Sequence, residues 1–398
     1  MTQTRPSSSW LILLGAIVAL GPLAIDMYLP AFPAIERQFG AGAQLTLSGF
    51  FIGLVLGQLF YGPVSDRIGR RTPLLFGLGV YTVASFACIF ADNLHQLTAL
   101  RFLQALGACA GMVLSRAVVR DRCDARSAAQ AQSRLILVMG LAPILAPSLG
   151  SLLLAVADWR AIFAVQAGAG LLFLIWAWRS LTESHGHQHR SDELSVTQTL
   201  KTFWLLLQDR KLMGYTWSSG LAFTGMFAYI AGSPQVLITL KGLSPSHYGI
   251  AFGLNAAGFI AASQVNARLL RKLEMNLLLG RAIWLPGLVT LSLLALERAG
   301  LLSLPVLLAG FFLYLTSLGF ISPNAGAMAL ASQPQHRVGA ASSLMGSLQF
   351  LTATVVSAWL ALWQRPDALP LMVVMSVCGG GAWVCYRIVL RPVMHRSA

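Results

Sequence analysis

Charge is scarce in this sequence. Lys, Arg, Asp and Glu make up 11% of its 398 residues, less than half of the roughly 25% found in an average soluble domain. So few charges cannot wet the surface of a soluble protein of this length, which excludes soluble enzymes, nucleic-acid-binding proteins and secreted scaffolds. Acids are scarcer still. Of the 14 carboxylates, 13 fall in polar connections or at the ends of apolar runs, and Asp26 alone lies inside one. All seven histidines (His95, His185, His187, His189, His247, His336 and His395) lie in connections, tails or run ends. With one internal acid and no mid-run histidine there is no cluster of nucleophile, base or metal ligands at one depth, so no catalytic site, no metal and no cofactor is expected. The five cysteines (Cys88, Cys109, Cys123, Cys378 and Cys385) are scattered, with neither a CxxC spacing nor a histidine partner. They read as small core residues, outside any disulfide framework.

What is present is apolar sequence. Hydrophobic residues are 56% of the chain and the mean hydropathy is +0.68. A membrane-spanning helix needs about 20 largely apolar residues. Hydropathy predicts twelve spans, near 10–32, 43–63, 73–91, 95–116, 131–154, 160–179, 212–238, 247–266, 276–296, 301–323, 339–363 and 368–388. Twelve such helices leave roughly a dozen residues for each connection, too few for a folded domain outside the membrane. The first run is too long for a signal-peptide core and has no small-residue cleavage site, so a retained first span is expected. The fold class is therefore an all-α membrane protein. The one long polar connection follows the sixth span. It divides the chain into an amino-terminal six-helix bundle (1–179), a central cytoplasmic linker (180–211) and a carboxy-terminal six-helix bundle (212–398).

The net charge of +14 is explained by where the cations fall. With the amino terminus in the cytoplasm, 20 of the 28 Lys and Arg residues lie in cytoplasmic connections and tails, 5 in outer connections and 3 (Arg101, Arg134 and Arg281) within spans. A four-to-one excess follows the positive-inside rule and places both termini in the cytoplasm. Anionic lipid is the partner such a balance requires, and no nucleic acid is needed. His185, His187 and His189 have a spacing a metal would accept, but they sit in the polar linker with no thiolate near in sequence and read as solvated.

The connection after span 2 reads Gly62-Pro-Val-Ser-Asp66-Arg67-Ile-Gly69-Arg70-Arg71. Gly62 and Gly69 permit a tight reversal, Asp66 can satisfy orphan amides at a nearby helix N-terminus, and the arginines can pair with acids or helix C-termini. Such a cluster can latch two helices and release them. The connection after span 8, Asn266-Ala-Arg268-Leu-Leu-Arg271-Lys272, keeps the cations, and Arg67 and Arg268 stand half a chain apart. That spacing is the mark of a duplicated six-helix unit.

The residue order G-P-V-S-D-R-I-G-R-R closely resembles the loop 2–3 signature of the major facilitator superfamily. Three further segments share the resemblance: Ile25-Asp26-Met27-Tyr28-Leu29-Pro30 in span 1, Leu100-Arg101-Phe102-Leu103-Gln104-Ala-Leu-Gly107 in span 4, and Gly140-Leu-Ala-Pro143-Ile-Leu-Ala-Pro147-Ser-Leu-Gly150 in span 5. The D-M-Y-L-P string, with Arg120-Asp121 ending span 4, resembles the Bcr/CflA group of drug-resistance transporters. The resemblance covers essentially the whole chain. It implies two pseudo-symmetric bundles around a central cavity, alternating access, and proton-coupled export of small molecules across a bacterial inner membrane, with a monomer as the default. It also implies site residues. Asp66, Arg67 and Arg70 with Asp121 would form a cytoplasmic latch, flanked by Gly62, Gly69 and Arg71. Arg101 would be the buried arginine of span 4 and Asp26 the acid of span 1. Gly140, Pro143, Pro147 and Gly150 would form the antiporter motif of span 5, where Ala142-Pro143 and Ala146-Pro147 replace the usual Gly-Pro pair. The alternative is proton-coupled transport of a metabolite such as a nucleoside or amino acid.

Asp26 also stands out on physical grounds alone. A carboxylate inside a span is costly and faces water, a cation or a functional path. Arg101 carries the opposite sign at similar depth and is expected to be its neighbour; the alternatives are an Asp26 solvated near the outer end of its helix and an Arg101 that snorkels to the outer interface. Arg134 and Arg281 lie near cytoplasmic ends and are expected to snorkel. Pro143 and Pro147 are expected to bend span 5. Tyr28, Gln58, Gln104, Asn255 and Gln349, with Trp217, Phe223, Phe227 and Tyr314, are weaker candidates for the wall of a substrate cavity.

Overall fold

An apolar setting requires every backbone polar group to be satisfied internally, and continuous apolar runs of about 20 residues meet that requirement as helices. A computed structural model describes residues 8–123, 125–184, 196–334, 337–363 and 365–390. Among these residues there is no strand. The helices are α1 (Ser8–Asp26), α2 (Phe32–Phe39), α3 (Gln44–Ile68), α4 (Arg71–Cys88), α5 (Leu94–Arg122), α6 (Ala125–Val156), α7 (Arg160–Ser180), α8 (Val196–Gln208), α9 (Arg210–Ser233), α10 (Pro245–Leu269), α11 (Met275–Ala282), α12 (Leu285–Arg298), α13 (Leu304–Ala331), α14 (Val338–Leu362) and α15 (Leu369–Cys385). They fall into two compact units, Met1–Leu194 and Ser195–Ala398. The polar connection after span 6 is not all linker, since part of it forms α8, which packs on α9 and α14.

Among the described residues, ten helical segments are long and apolar enough to cross a membrane. The other two expected spans, α4 and α10, are helical as well. They miss on composition: α4 has 18 residues and opens on Arg71, and α10 carries Asn255, Ser263, Gln264 and Asn266. Twelve helices in two units is the resulting architecture, built from α1 with α2, α3, α4, α5, α6 and α7 in the first unit and α9, α10, α11 with α12, α13, α14 and α15 in the second.

The two units repeat one packing scheme. α3 and α10 are both 25 residues long, and each end of α10 lies 201 positions after the matching end of α3. α3 packs on α5 as α10 packs on α13, α4 on α7 as α12 on α15, and α1 on α6 as α9 on α14. The first and seventh spans are the most enclosed of those ten segments, with 72% of the residues buried in the most apolar stretch of each. Close helix approach recurs in the matching helix pairs, with the glycine on α3 in one and on α13 in the other: a Cβ on Gly53 would meet the Phe102 carbonyl at 2.4 Å, and one on Gly319 the Phe259 carbonyl at 2.5 Å. Small residues at these crossings bring backbones together, as helix pairs in membranes require.

The first span differs from its expected extent. It continues to Phe39 and breaks after Asp26, where a 3₁₀ turn (Leu29–Ala31) joins α1 to α2. Proline causes the break. Pro30 and Pro33 have no N–H, so the carbonyls of Asp26 and Leu29 lose their i+4 donors. The connection after span 2 also differs. Gly62 lies inside α3 with open space around it, and the reversal rests on Gly69 alone, whose φ of +98° suits a residue without a Cβ.

Candidate functional site

Asp26 is the last residue of α1, at the break in the first span. It is 4% exposed and makes no hydrogen bond or ion pair among the described residues. The expected pairing with Arg101 is not formed. Arg101 is fully buried and does not reach the outer surface. Its guanidinium lies over aromatic faces, 4.3 Å from the Phe50 ring centre and 4.7 Å from that of Tyr28. An aromatic face offers a cation a negative quadrupole and so replaces a carboxylate in part. Its Nη1 donates to Gln104 Oε1. Nε and Nη2 have no hydrogen-bond partner among the described residues.

Gln104 is the hub of a buried relay. Its Nε2 donates to Ser85 Oγ at 2.7 Å and to Gln166 Oε1 at 2.8 Å. Gln166 Nε2 in turn donates to the Leu23 carbonyl at 3.4 Å, which also accepts the Met27 amide at 3.2 Å. The relay thus runs from the span-4 arginine through α7 to the helical turn that carries Asp26. Tyr28 joins from the other side. The Thr46 hydroxyl donates to the Ala43 carbonyl at 2.6 Å, so the Tyr28 hydroxyl donates to Thr46 Oγ1, 3.0 Å away. Spans 1, 2, 3, 4 and 6 all contribute to this cluster. Tyr28 and Gln104, expected on a cavity wall, are wholly enclosed in it. Ser85 and Gln166 were not singled out from sequence. Each is an isolated polar group in an apolar run, a signal of interhelical bonding, but the sequence does not reveal the partner.

The span-5 segment meets the same turn. α6 runs uninterrupted through Pro143 and Pro147, with Pro147 and Gly150 buried and Gly140 and Pro143 half-buried. A Cβ on Gly150 would stand 2.0 Å from the Met27 carbonyl oxygen, so glycine lets α6 touch the backbone beside Asp26.

The span 2–3 connection forms a second cluster. Arg70, 2% exposed, places Nη2 2.6 Å from Asp66, Nε 2.9 Å from Asp121 and Nη1 2.6 Å from Ser65 Oγ. Arg67 is exposed and makes no ion pair among the described residues. Asp66 is not the acid that caps α4. Glu183 takes that role, accepting the Arg70 amide at 2.8 Å and the Arg71 amide at 3.1 Å. Arg71 donates to the carbonyls of Leu181 and Trp178, and Arg122 to the Thr182 carbonyl and hydroxyl. The segment following α7 is thereby clamped to the start of α4 and the end of α5. In the sequence Glu183 is one of the acids of the polar connections, and nothing local to it marks a helix start 112 residues away.

In the second unit, Asn255 donates to the Tyr229 hydroxyl at 2.9 Å, and Asn266 and Asn324 exchange amide bonds. Tyr314 donates to the Ala222 carbonyl at 2.7 Å and is fully buried. Gln349 and Gln58 are half-buried. Asn255 and Tyr314 are thus spent on interhelical bonds. The side chain of Arg134 and the His185–His189 run lie outside the described residues.

A match to the Major Facilitator Superfamily profile spans residues 14–358. The chain belongs to that superfamily. Among relatives of this major facilitator protein, an uncharacterized MFS-type transporter, YdgK of Bacillus subtilis, is 36% identical over 92% of this chain and 91% of its own. A bicyclomycin resistance protein homolog of Haemophilus influenzae is 30% identical over 95% of each chain. A bacterial homolog of the human lysosomal transporter Spinster, solved in an inward-facing, unoccupied conformation, superposes with a TM-score of 0.76 at 14% identity over 98% of each chain. This likeness bears on the fold. The major facilitator chain is therefore a multi-pass membrane transporter of small molecules, with its arginine relay and its Arg70 cluster both in the first six-helix unit.

Proposed function

We propose that this protein is a proton-driven exporter of drugs or similar small molecules, working by alternating access in the bacterial inner membrane with both termini in the cytoplasm. The observation that carries the reading is Asp26. It is the sole carboxylate inside an apolar run, it is buried with no hydrogen bond or ion pair among the described residues, and it sits at a break in the first span. A carboxyl group is far less costly to bury as the neutral acid than as the anion, so the protonation state of such a group is linked to its access to water. Facing one compartment and then the other, it carries one proton per cycle, and the membrane potential adds about 2.3 kcal/mol per charge per 100 mV.

In the proposed cycle the unprotonated, inward-open protein takes up substrate. After the two units rock outward, protonation of Asp26 expels it, and release of that proton to the cytoplasm resets the cycle. The relay from Arg101 through Gln104 and Gln166 to the Leu23 carbonyl is the means by which the charge state near Asp26 bears on the packing of spans 1, 4 and 6. The Arg70 cluster is the cytoplasmic latch. Drug export is favoured over metabolite transport by the full-length relative named for bicyclomycin resistance.

The test is transport in proteoliposomes, with bicyclomycin and ethidium as probes and an imposed pH gradient. Gradient-driven movement is expected to vanish in Asp26→Asn, while gradient-independent exchange of the probe persists. Unchanged gradient-driven transport by Asp26→Asn would overturn the reading.

A further inference from the structure

A groove of about 680 Å³ opens on the second unit between α11–α12 and α15 with its π-helical continuation, Tyr386–Leu390. It has no part in the sites described above. α12 and α15 touch where Gly287 meets Gly379, a Cβ on Gly379 standing 2.9 Å from the Gly287 amide. The groove extends from that contact to Tyr386 and Arg387. Arg281 and Arg387 line this end, and neither forms an ion pair among the described residues. Arg387 lies 5.4 Å from the ring centre of Trp383. No acidic residue is among those that line the groove. Trp284, one helical turn from Arg281, is about half exposed, and beyond it the lining is apolar, with Leu288 and Leu291 also about half exposed.

The groove is therefore amphipathic along its length. Two guanidinium groups without an ion pair among the described residues and two tryptophans mark one end, and leucines the other. Leu291 lies ten residues beyond Arg281, on the order of 15 Å along a helix, about half the thickness of a hydrocarbon core. Arg281 and Arg387 lie at the cytoplasmic ends of spans 9 and 12 in the topology set by the cation distribution. Tryptophan belongs at that level of the bilayer, and basic pockets between helices on that side hold anionic head groups. A guanidinium binds a phosphate through paired N–H donors.

We propose that this groove is a binding site for an anionic phospholipid of the inner leaflet, its phosphodiester held by Arg281 and Arg387 and one acyl chain laid along Trp284, Leu288 and Leu291. The site rests on the membrane topology and is independent of what the protein transports.

The experiment uses the full-length protein purified in detergent and titrated with dioleoylphosphatidylglycerol, with occupancy read by native mass spectrometry. Binding is expected to weaken roughly 30-fold in Arg281→Gln/Arg387→Gln, about fivefold per arginine. It should stay within about threefold of wild type in Arg281→Lys/Arg387→Lys, and be unchanged in Arg179→Gln, which removes a cation at the end of α7 instead. Should the double glutamine variant not fold, Arg387→Gln alone carries the fivefold expectation. Dioleoylphosphatidylcholine should bind wild type and variants alike. Equal phosphatidylglycerol affinity in wild type and the glutamine variants would overturn the proposal. So would full displacement of the lipid by millimolar glycerol 3-phosphate, which would show a site for free phosphate.

Discussion

Substituting Gly150 by alanine tests whether span 5 holds the turn that carries Asp26. The added Cβ would lie 2.0 Å from the Met27 carbonyl oxygen and 2.9 Å from its carbon, against an ordinary contact distance of 3.4–4 Å. The two backbones must part by more than 1 Å. Neither can yield by a rotamer change, because the obstacle is main chain next to a turn fixed by Pro30 and Pro33. Overpacking of this kind costs about 1–3 kcal/mol, and the absence of a flexible neighbour puts the cost near the top of that range. The helical Gly168→Ala and Gly79→Ala are the matched controls. Nothing stands within 4 Å of the new Cβ at either position, and alanine in a helix gains up to about 1 kcal/mol over glycine. For a unit of this size each kcal/mol moves the melting temperature by roughly 2–4 °C. Gly150→Ala should therefore melt roughly 5–10 °C below Gly168→Ala. A thiol-reactive dye reporting exposure of the buried Cys88 and Cys109 follows the transition. If Gly150→Ala melts within about 1 °C of the controls, α6 does not bear on the Asp26 turn as the geometry requires.

Two other substitutions probe the charged clusters. Gln104→Leu keeps the volume and the aromatic faces over Arg101 but removes its one hydrogen-bond acceptor among the described residues, and a hydrogen bond to a charged group is worth about 1.5–3 kcal/mol. The same melting assay should show a larger loss than for Gln104→Glu, which restores an acceptor; equal loss in both would refute the relay. Arg70→Gln removes the cation shared by Asp121, whose side chain is 13% exposed, and Asp66, 46% exposed. Solvent screening leaves the Asp66 contact worth little, so the expected cost is about 2–3 kcal/mol, set mainly by Asp121. Arg67→Gln should cost under about 0.5 kcal/mol, and comparable melting temperatures for the two variants would count against the cluster.

Composition alone determined that this chain is a helical membrane protein, because 11% charge cannot clothe a soluble surface and apolar runs of membrane length have few other uses. The spacing of the polar connections determined the two halves, and the 201-residue offset of α3 and α10 follows from that repeat. Asp26 was legible because one carboxylate in an apolar run has no inexpensive explanation. The partners of these groups were not legible. Opposite charge at similar depth suggested an Asp26–Arg101 pair, whereas the tertiary structure gives Arg101 to aromatic rings and Gln104. A helix shows its neighbours one face at a time, and sequence fixes depth far better than it fixes that rotation. Glu183 capping α4, Gly150 against Met27, and two arginines 106 residues apart sharing one groove are likewise products of packing. Each joins residues that no local pattern connects, and only the three-dimensional arrangement of the helices decides which of them meet.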